Sequence, residues 1–164
     1  MILAIDPGSE KSGWVQLRDG DLRSFGIDSN EDVLDVLLVD GKADTLVIEH
    51  TPPYAMQTKS GGHYVPRQVF ETAFYCGRLA QEWMNLRGEL PALVPRRDVL
   101  KHITGKGARV GDKEVRAALI DRWGGKDTAI GKKASPGPLY GVSSHVWAAL
   151  AVGLTYYETR SESR

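Results

Sequence analysis

Two short apolar runs, each closed by an acid and followed by proline, constrain this chain more than any other feature. Met1 to Asp6 is apolar up to its last residue and stops at Pro7-Gly8, and Thr45 to Glu49 repeats that layout ahead of Pro52-Pro53. Such a run, bounded by breakers, reads as a buried strand that ends at a loop. Each strand therefore delivers a carboxylate at its end. Two like charges held side by side in a protein interior are costly unless a cation neutralises them. Hard carboxylate oxygens suit Mg²⁺, with Mn²⁺ as a substitute, and two such ions about 3.5–4 Å apart can stabilise both the attacking and leaving oxygens of a phosphodiester. Asp6 and Glu49 are accordingly the first candidates for a metal site.

The remaining pattern sets the order of elements. Gly13 to Arg18 and Leu22 to Ile27 are β-prone and flank Asp19-Gly20, a hairpin signal, so the first three strands are expected to form an antiparallel meander. Asn30 is the expected N-cap of a first helix, with Val33, Leu34, Leu37 and Leu38 at helical spacing and Gly41 as its stop. After Glu49, the stretch from Tyr54 to Pro66 has no periodicity and reads as a loop. A long helix is predicted from Arg67 to Leu86, with Val69, Phe70, Phe74, Leu79, Trp83 and Leu86 as its apolar face. Leu90 to Val94 reads as a fifth strand, and Arg97 to His102 and Asp112 to Trp123 read as helices around Gly105-Lys106-Gly107. A polar loop, Gly124 to Pro138, precedes a last helix from Ser143 to Tyr157. The expectation is one α/β domain, residues 1–164, with a mixed five-stranded sheet and helices on both faces.

Charge separates along the chain. The formal net charge is zero, but residues 96–133 hold eleven Lys or Arg against five acids, an excess of six that the remainder offsets. That asymmetry suits a polyanion on one surface and cations in an acidic site on another. Arg96, Arg97, Lys101, His102, Lys106, Arg109, Lys113 and Arg116 are the candidate phosphate contacts, and Tyr54, His63 and Tyr64 are candidates to stack on unpaired bases. The lone Cys76 permits no intrachain disulfide, and the N-terminus has no basic stretch followed by an apolar run, so a cytoplasmic protein is expected. The longest apolar run, Trp147 to Leu154, is too short to cross a bilayer.

Four motifs, in order, resemble the RuvC family of Holliday-junction resolvases. Ala4-Ile5-Asp6-Pro7-Gly8 with Gly13 resembles its opening motif, and Val47-Ile48-Glu49 its second. Leu100 to Val115, with Thr104-Gly105-Lys106-Gly107 and Asp112-Lys113, resembles the family stretch that ends in an acid-lysine pair before a helix. Ala148 to Val152 resembles the start of its final helix. The resemblance implies a ribonuclease H-like fold and an Mg²⁺-dependent endonuclease that works as a homodimer on four-way DNA junctions. It assigns metal binding to Asp6 and Glu49, phosphate contact to Lys106 and Lys113, and a dimer face to the helix from Arg67.

The chain departs from the family at the last motif. Members place two metal-binding residues there, one helical turn apart, and these match His145 and Ala148. His145 could complete the site, whereas Ala148 offers no ligand. Either Asp6, Glu49 and His145 suffice, helped by water or Ser144, or an acid at 148 has been replaced to abolish cleavage. A junction-binding protein without nuclease activity, and a nuclease for forks, flaps or hybrids, are the alternatives. Asp6-Pro7-Gly8-Ser9 with Gly13 also resembles the first phosphate loop of sugar kinases and actin-like ATPases, but those need a second domain for which 164 residues leave no room, so no nucleotide cofactor is expected.

Overall fold

The computed structural model describes residues 1–40, 43–50, 56–106 and 110–161; the side chains of 36–40 lie outside that description. The first apolar run forms β1 (Ile2–Asp6), and β2 (Lys11–Arg18) and β3 (Asp21–Ser29) fold back as the expected antiparallel meander. Asp19 and Gly20 turn that hairpin at φ of 56° and 85°, the positive values of a tight two-residue turn whose twist matches the strands. After α1 (Asn30–Asp40), β4 (Thr45–His50) pairs parallel to β1 on its other side. A small hairpin, β5 (Met56–Gln57) and β6 (His63–Tyr64), lies within the expected loop, and α2 (Arg67–Arg87) leads to β7 (Ala92–Pro95), parallel to β4. Next come α3 (Arg96–Thr104), α4 (Asp112–Arg122), α5 (Lys126–Ala129), the two-residue strands β8 (Gly131–Lys132) and β9 (Ser135–Pro136), and α6 (His145–Ser161).

The five main strands lie in the order β3-β2-β1-β4-β7. The chain reverses its direction of growth between β1 and β4, and in open α/β sheets that switch point is where ligands gather, beyond the carboxyl ends of the strands.

Side chains alternate across the sheet, so each strand feeds two cores. Leu3, Ile5, Leu46 and Ile48 pack with Val33, Leu34, Tyr75, Leu79 and Trp83 of α1 and α2. Ala4, Val15, Leu17 and Val47 pack on the opposite face with α3, α4 and α6. Each fully buried Leu, Ile or Val in these layers contributes about 1.5–3 kcal/mol. By the same alternation Asp6 and Glu49, one residue beyond Ile5 and Ile48, turn toward the α6 face.

Two local expectations change. Ser29, not Asn30, caps α1: its hydroxyl accepts from the Asp32 backbone N–H at 3.2 Å, while the Asn30 amide donates to the Gly8 carbonyl at 3.1 Å. Asn30 is drawn off by the loop after Asp6. On α2, the core-facing residues are Tyr75, Leu79 and Trp83, whereas Phe70 and Phe74 are 63% and 73% exposed. The helix carries two apolar stripes, and only one faces the sheet. The side chains of Leu37 and Leu38, and Gly41, fall outside the description.

Candidate metal centre

Three segments distant in sequence converge at the carboxyl ends of β1 and β4. Asp6 ends β1, Glu49 sits beside it on β4, and His145 opens α6. His145 Nδ1 lies 2.9 Å from Asp6 Oδ2. The start of α6 approaches this closely because β2 carries Gly13, where a Cβ would stand 2.5 Å from the His145 carbonyl carbon and oxygen. Ser144, just before the helix, holds a left-handed φ of 41°, a strained backbone of the kind that concentrates at functional sites. The loop after Asp6 is clamped in turn: Ser12 Oγ accepts from the Gly8 N–H at 3.2 Å and donates to Asn30 Oδ1 at 2.7 Å.

The electrostatics are those of crowded acids. The Glu49 side chain is 2% exposed. Its burial, reinforced by the Asp6 carboxylate, pushes the Glu49 carboxyl up to about 7 against the pull of Arg96. The hydrogen bond to Asp6 raises His145 above its ordinary value despite partial burial, and Asp112 and Glu49 add to the effect.

Arg96 opens α3 directly after β7 and enters this cluster. Its Nη1 donates to Glu49 Oε1 at 2.8 Å and its Nη2 to Asp112 Oδ1 at 2.5 Å. The second Glu49 oxygen, Oε2, is buried without a hydrogen-bond partner. A carboxylate oxygen desolvated and unpaired is expensive, so Oε2 is a place where a cation would be stabilising. Asp6, Glu49 and His145 are the hard and borderline donors that a divalent ion takes. In this conformation, among the described residues, no three His, Cys, Asp or Glu side chains close around a point. The guanidinium of Arg96 supplies the positive charge there instead.

These residues line a cleft of about 760 Å³ with Lys113, Arg116, Ser143, Ser144 and Ala148. The Arg116 guanidinium stacks 5.2 Å from the Trp147 ring centroid. Of the basic residues expected to touch phosphate, Arg96, Lys113 and Arg116 line the cleft; Arg97, Lys101 and Lys106 are exposed outside it. His102 is withdrawn from that role, because its Nε2 lies 2.5 Å from Glu158 Oε2, which Arg122 also holds at 2.8 Å. Tyr64 is exposed on the β5–β6 hairpin. Tyr54 and Arg109 lie outside the described residues. Asp112 is the residue that reading the chain as an acid-lysine pair left without a role; its place ahead of Lys113 at a helix start was the available signal.

A second cleft, about 430 Å³, opens on the other side of Asp6 and Glu49, between them and Val69, Ala73, Cys76 and Leu93. Burial pushes the Cys76 thiol up to about 11, so it is not an activated nucleophile.

The chain is similar over 98% of its length to the structure of RuvC from Thermus thermophilus, with a TM-score of 0.64, 16% identity and 96% of that chain covered. It is similar over 99% to T. thermophilus RuvC in complex with Holliday junction substrate, with a TM-score of 0.63, 18% identity and 96% of that chain covered. No family profile matches the chain, and no curated protein matches it. At these identities the likeness is one of fold: the chain has the RuvC, ribonuclease H-like fold that its motifs lead one to expect.

Proposed function

We propose that this chain is a metal-dependent endonuclease that resolves four-way DNA junctions as a homodimer, cutting two symmetric strands. The observation that carries the reading is the meeting of Asp6, Glu49 and His145 in one cleft at the sheet's switch point, with basic side chains on its wall. Asp6, Glu49 and His145 would hold Mg²⁺, or Mn²⁺ in its place, and the ion would supply Lewis-acid polarisation of the phosphate and an activated water.

The protein's own residues do the rest. Asp6 orients the His145 ring through Nδ1, which leaves Nε2 as the nitrogen for a metal or a proton. Apolar walls from Val99, Leu100, Val142 and Ala151 restrict water around the carboxylates. Lys113 and Arg116 present positive charge to a phosphate entering the cleft. Arg97, Lys101 and Lys106 extend that charge over the surface, with Arg109 in the same basic segment, and Tyr54 and Tyr64 are the proposed stacking partners for bases at the branch point. The exposed Phe70 and Phe74 of α2 are the proposed dimer face.

The test is incubation of the chain with labelled four-way junction, fork and linear duplex in Mg²⁺ or Mn²⁺. Paired nicks in the junction are expected. Asp6→Asn should bind the junction and cut it at least about a hundredfold more slowly, since a bound metal supplies several kcal/mol. Ala148 in the cleft favours a second reading, a protein that binds junctions without cutting them. Binding with no nicks, from both the chain and Ala148→Asp, would establish that reading and overturn the first.

A further inference from the structure

Position 148 lines the cleft as alanine, one helical turn beyond His145, so α6 offers one polar ligand where two could reach. A carboxylate comes instead from α4. Asp112 lines the same cleft as Asp6, Glu49, His145 and Ala148, and Arg96 spans the gap between Asp112 Oδ1 and Glu49 Oε1 with its two terminal nitrogens. One guanidinium therefore separates these carboxylates. Two acids that converge on one cation from different elements form an arrangement that a divalent ion can also occupy, because the same oxygens serve either charge.

Two further observations separate Asp112 from an incidental partner of Arg96. The buried Glu49 Oε2 has no partner even with Arg96 in place, so the guanidinium engages only one of the two oxygens that Glu49 offers to the cleft. Nor is Asp112 needed to start α4: Glu114 already accepts from the Gly111 N–H at 3.0 Å, satisfying that backbone donor at the helix start. The Asp112 side chain is 87% exposed, so its bond to Arg96 and not packing holds its rotamer.

We propose that Asp112 supplies the metal-binding carboxylate that α6 lacks at position 148, with Arg96 as the cation the metal displaces. The assignment rests on the metal-centre reading above and adds a residue from a different element to it. Ala148 is then a relocation of the acid and not a loss of it.

Mn²⁺ titration calorimetry on the full chain, without DNA, tests this. Asp112→Asn should weaken Mn²⁺ binding about tenfold to a hundredfold, the range seen when groups that support a metal site are removed. Ala148→Asp in that background should restore it. Asp112→Ser, which leaves the Gly111–Glu114 bond at the helix start in place, should show the same loss with unchanged circular dichroism. Glu114→Gln removes the same charge from the same helical turn and should leave binding within about twofold, because an exposed charge acting at a distance is largely screened. Wild-type affinity in Asp112→Asn, alongside lost affinity in Asp6→Asn, would overturn the role of Asp112 and leave the Asp6–Glu49 centre standing. No Mn²⁺ binding by the wild-type chain, or binding unaffected by Asp6→Asn, would overturn both.

Discussion

The imidazole of His145 and the carboxylate of Asp6 stand 2.9 Å apart although 139 residues separate them in the chain. That contact joins the last helix to the first strand. It makes the acidic centre dependent on how α6 packs over the sheet, and the following expectations start from there.

The metal-free protein should lose stability as pH rises through neutrality. Glu49 moves from an ordinary 4.5 to about 7 on folding, because it is buried beside Asp6. The folded state holds this proton more tightly, so the contribution is complete below 4.5 and is lost as pH rises through about 7. His145 is raised too, by its bond to Asp6; its contribution is present below its ordinary value and is likewise lost on alkalinisation. Glu49→Gln should therefore gain several degrees in Tm over wild type between pH 5 and pH 8. If the site takes Mg²⁺ as proposed, the ion would bind its deprotonated form and should raise the wild-type Tm more at pH 8 than at pH 5. Melts of both proteins across that range, with and without Mg²⁺, decide it; a pH-independent difference would refute the burial argument.

Gly13→Ala should damage the centre without touching a polar group. The new methyl would stand 2.5 Å from the His145 backbone, so α6 must shift. Overpacking of this kind costs about 1–3 kcal/mol, and misplacement by about 1 Å can cost a hundredfold in rate. Chemical denaturation and junction cleavage, measured on the same preparation, should show activity falling further than stability.

Junction affinity should depend steeply on salt, and the basic residues should account for the slope. Lys101→Ala and Lys113→Ala should each lower the log–log slope by about one if each contacts one phosphate. Lys113, on the cleft wall, should also slow cleavage, whereas Lys101 should not. Fluorescence anisotropy over a salt series measures the first effect. A slope unchanged in both variants would remove these residues from the interface.

The second apolar stripe of α2 should be a protein contact. Phe70 and Phe74 are 63% and 73% exposed, and adjacent exposed aromatics of this kind mark interaction surfaces. Phe70→Glu with Phe74→Glu should convert a dimer into a monomer in sedimentation velocity and turn paired nicks into single ones. A wild-type chain that sediments as a monomer would exclude that role.

The legible part of the site was the part carried by local periodicity. Asp6 and Glu49 announce themselves because an unbroken apolar run ends in an acid and is followed by proline, and those signals lie within a few residues of each other. The choice between Ser29 and Asn30 as cap was hidden, since it depends on Gly8 and Ser12 claiming the Asn30 side chain. The basic segment read as uniform, yet Glu158 withdraws His102 and Arg122, while Glu49 and Asp112 turn Arg96 inward. Partners so distant in sequence leave no local pattern to read.

The sequence by itself determined the five strands of the main sheet, the meander, the order of the longer helices and the two carboxylates, because backbone propensity and side-chain alternation act over a few residues. The short elements within the segments read as loops, β5, β6, α5, β8 and β9, were not in that reading. Only the tertiary structure decided which charges would share the cleft. Coulomb interaction and desolvation depend on distance and burial in space, and it is packing of α3, α4 and α6 on one face of the sheet that brings Arg96, Asp112 and His145 to Asp6 and Glu49.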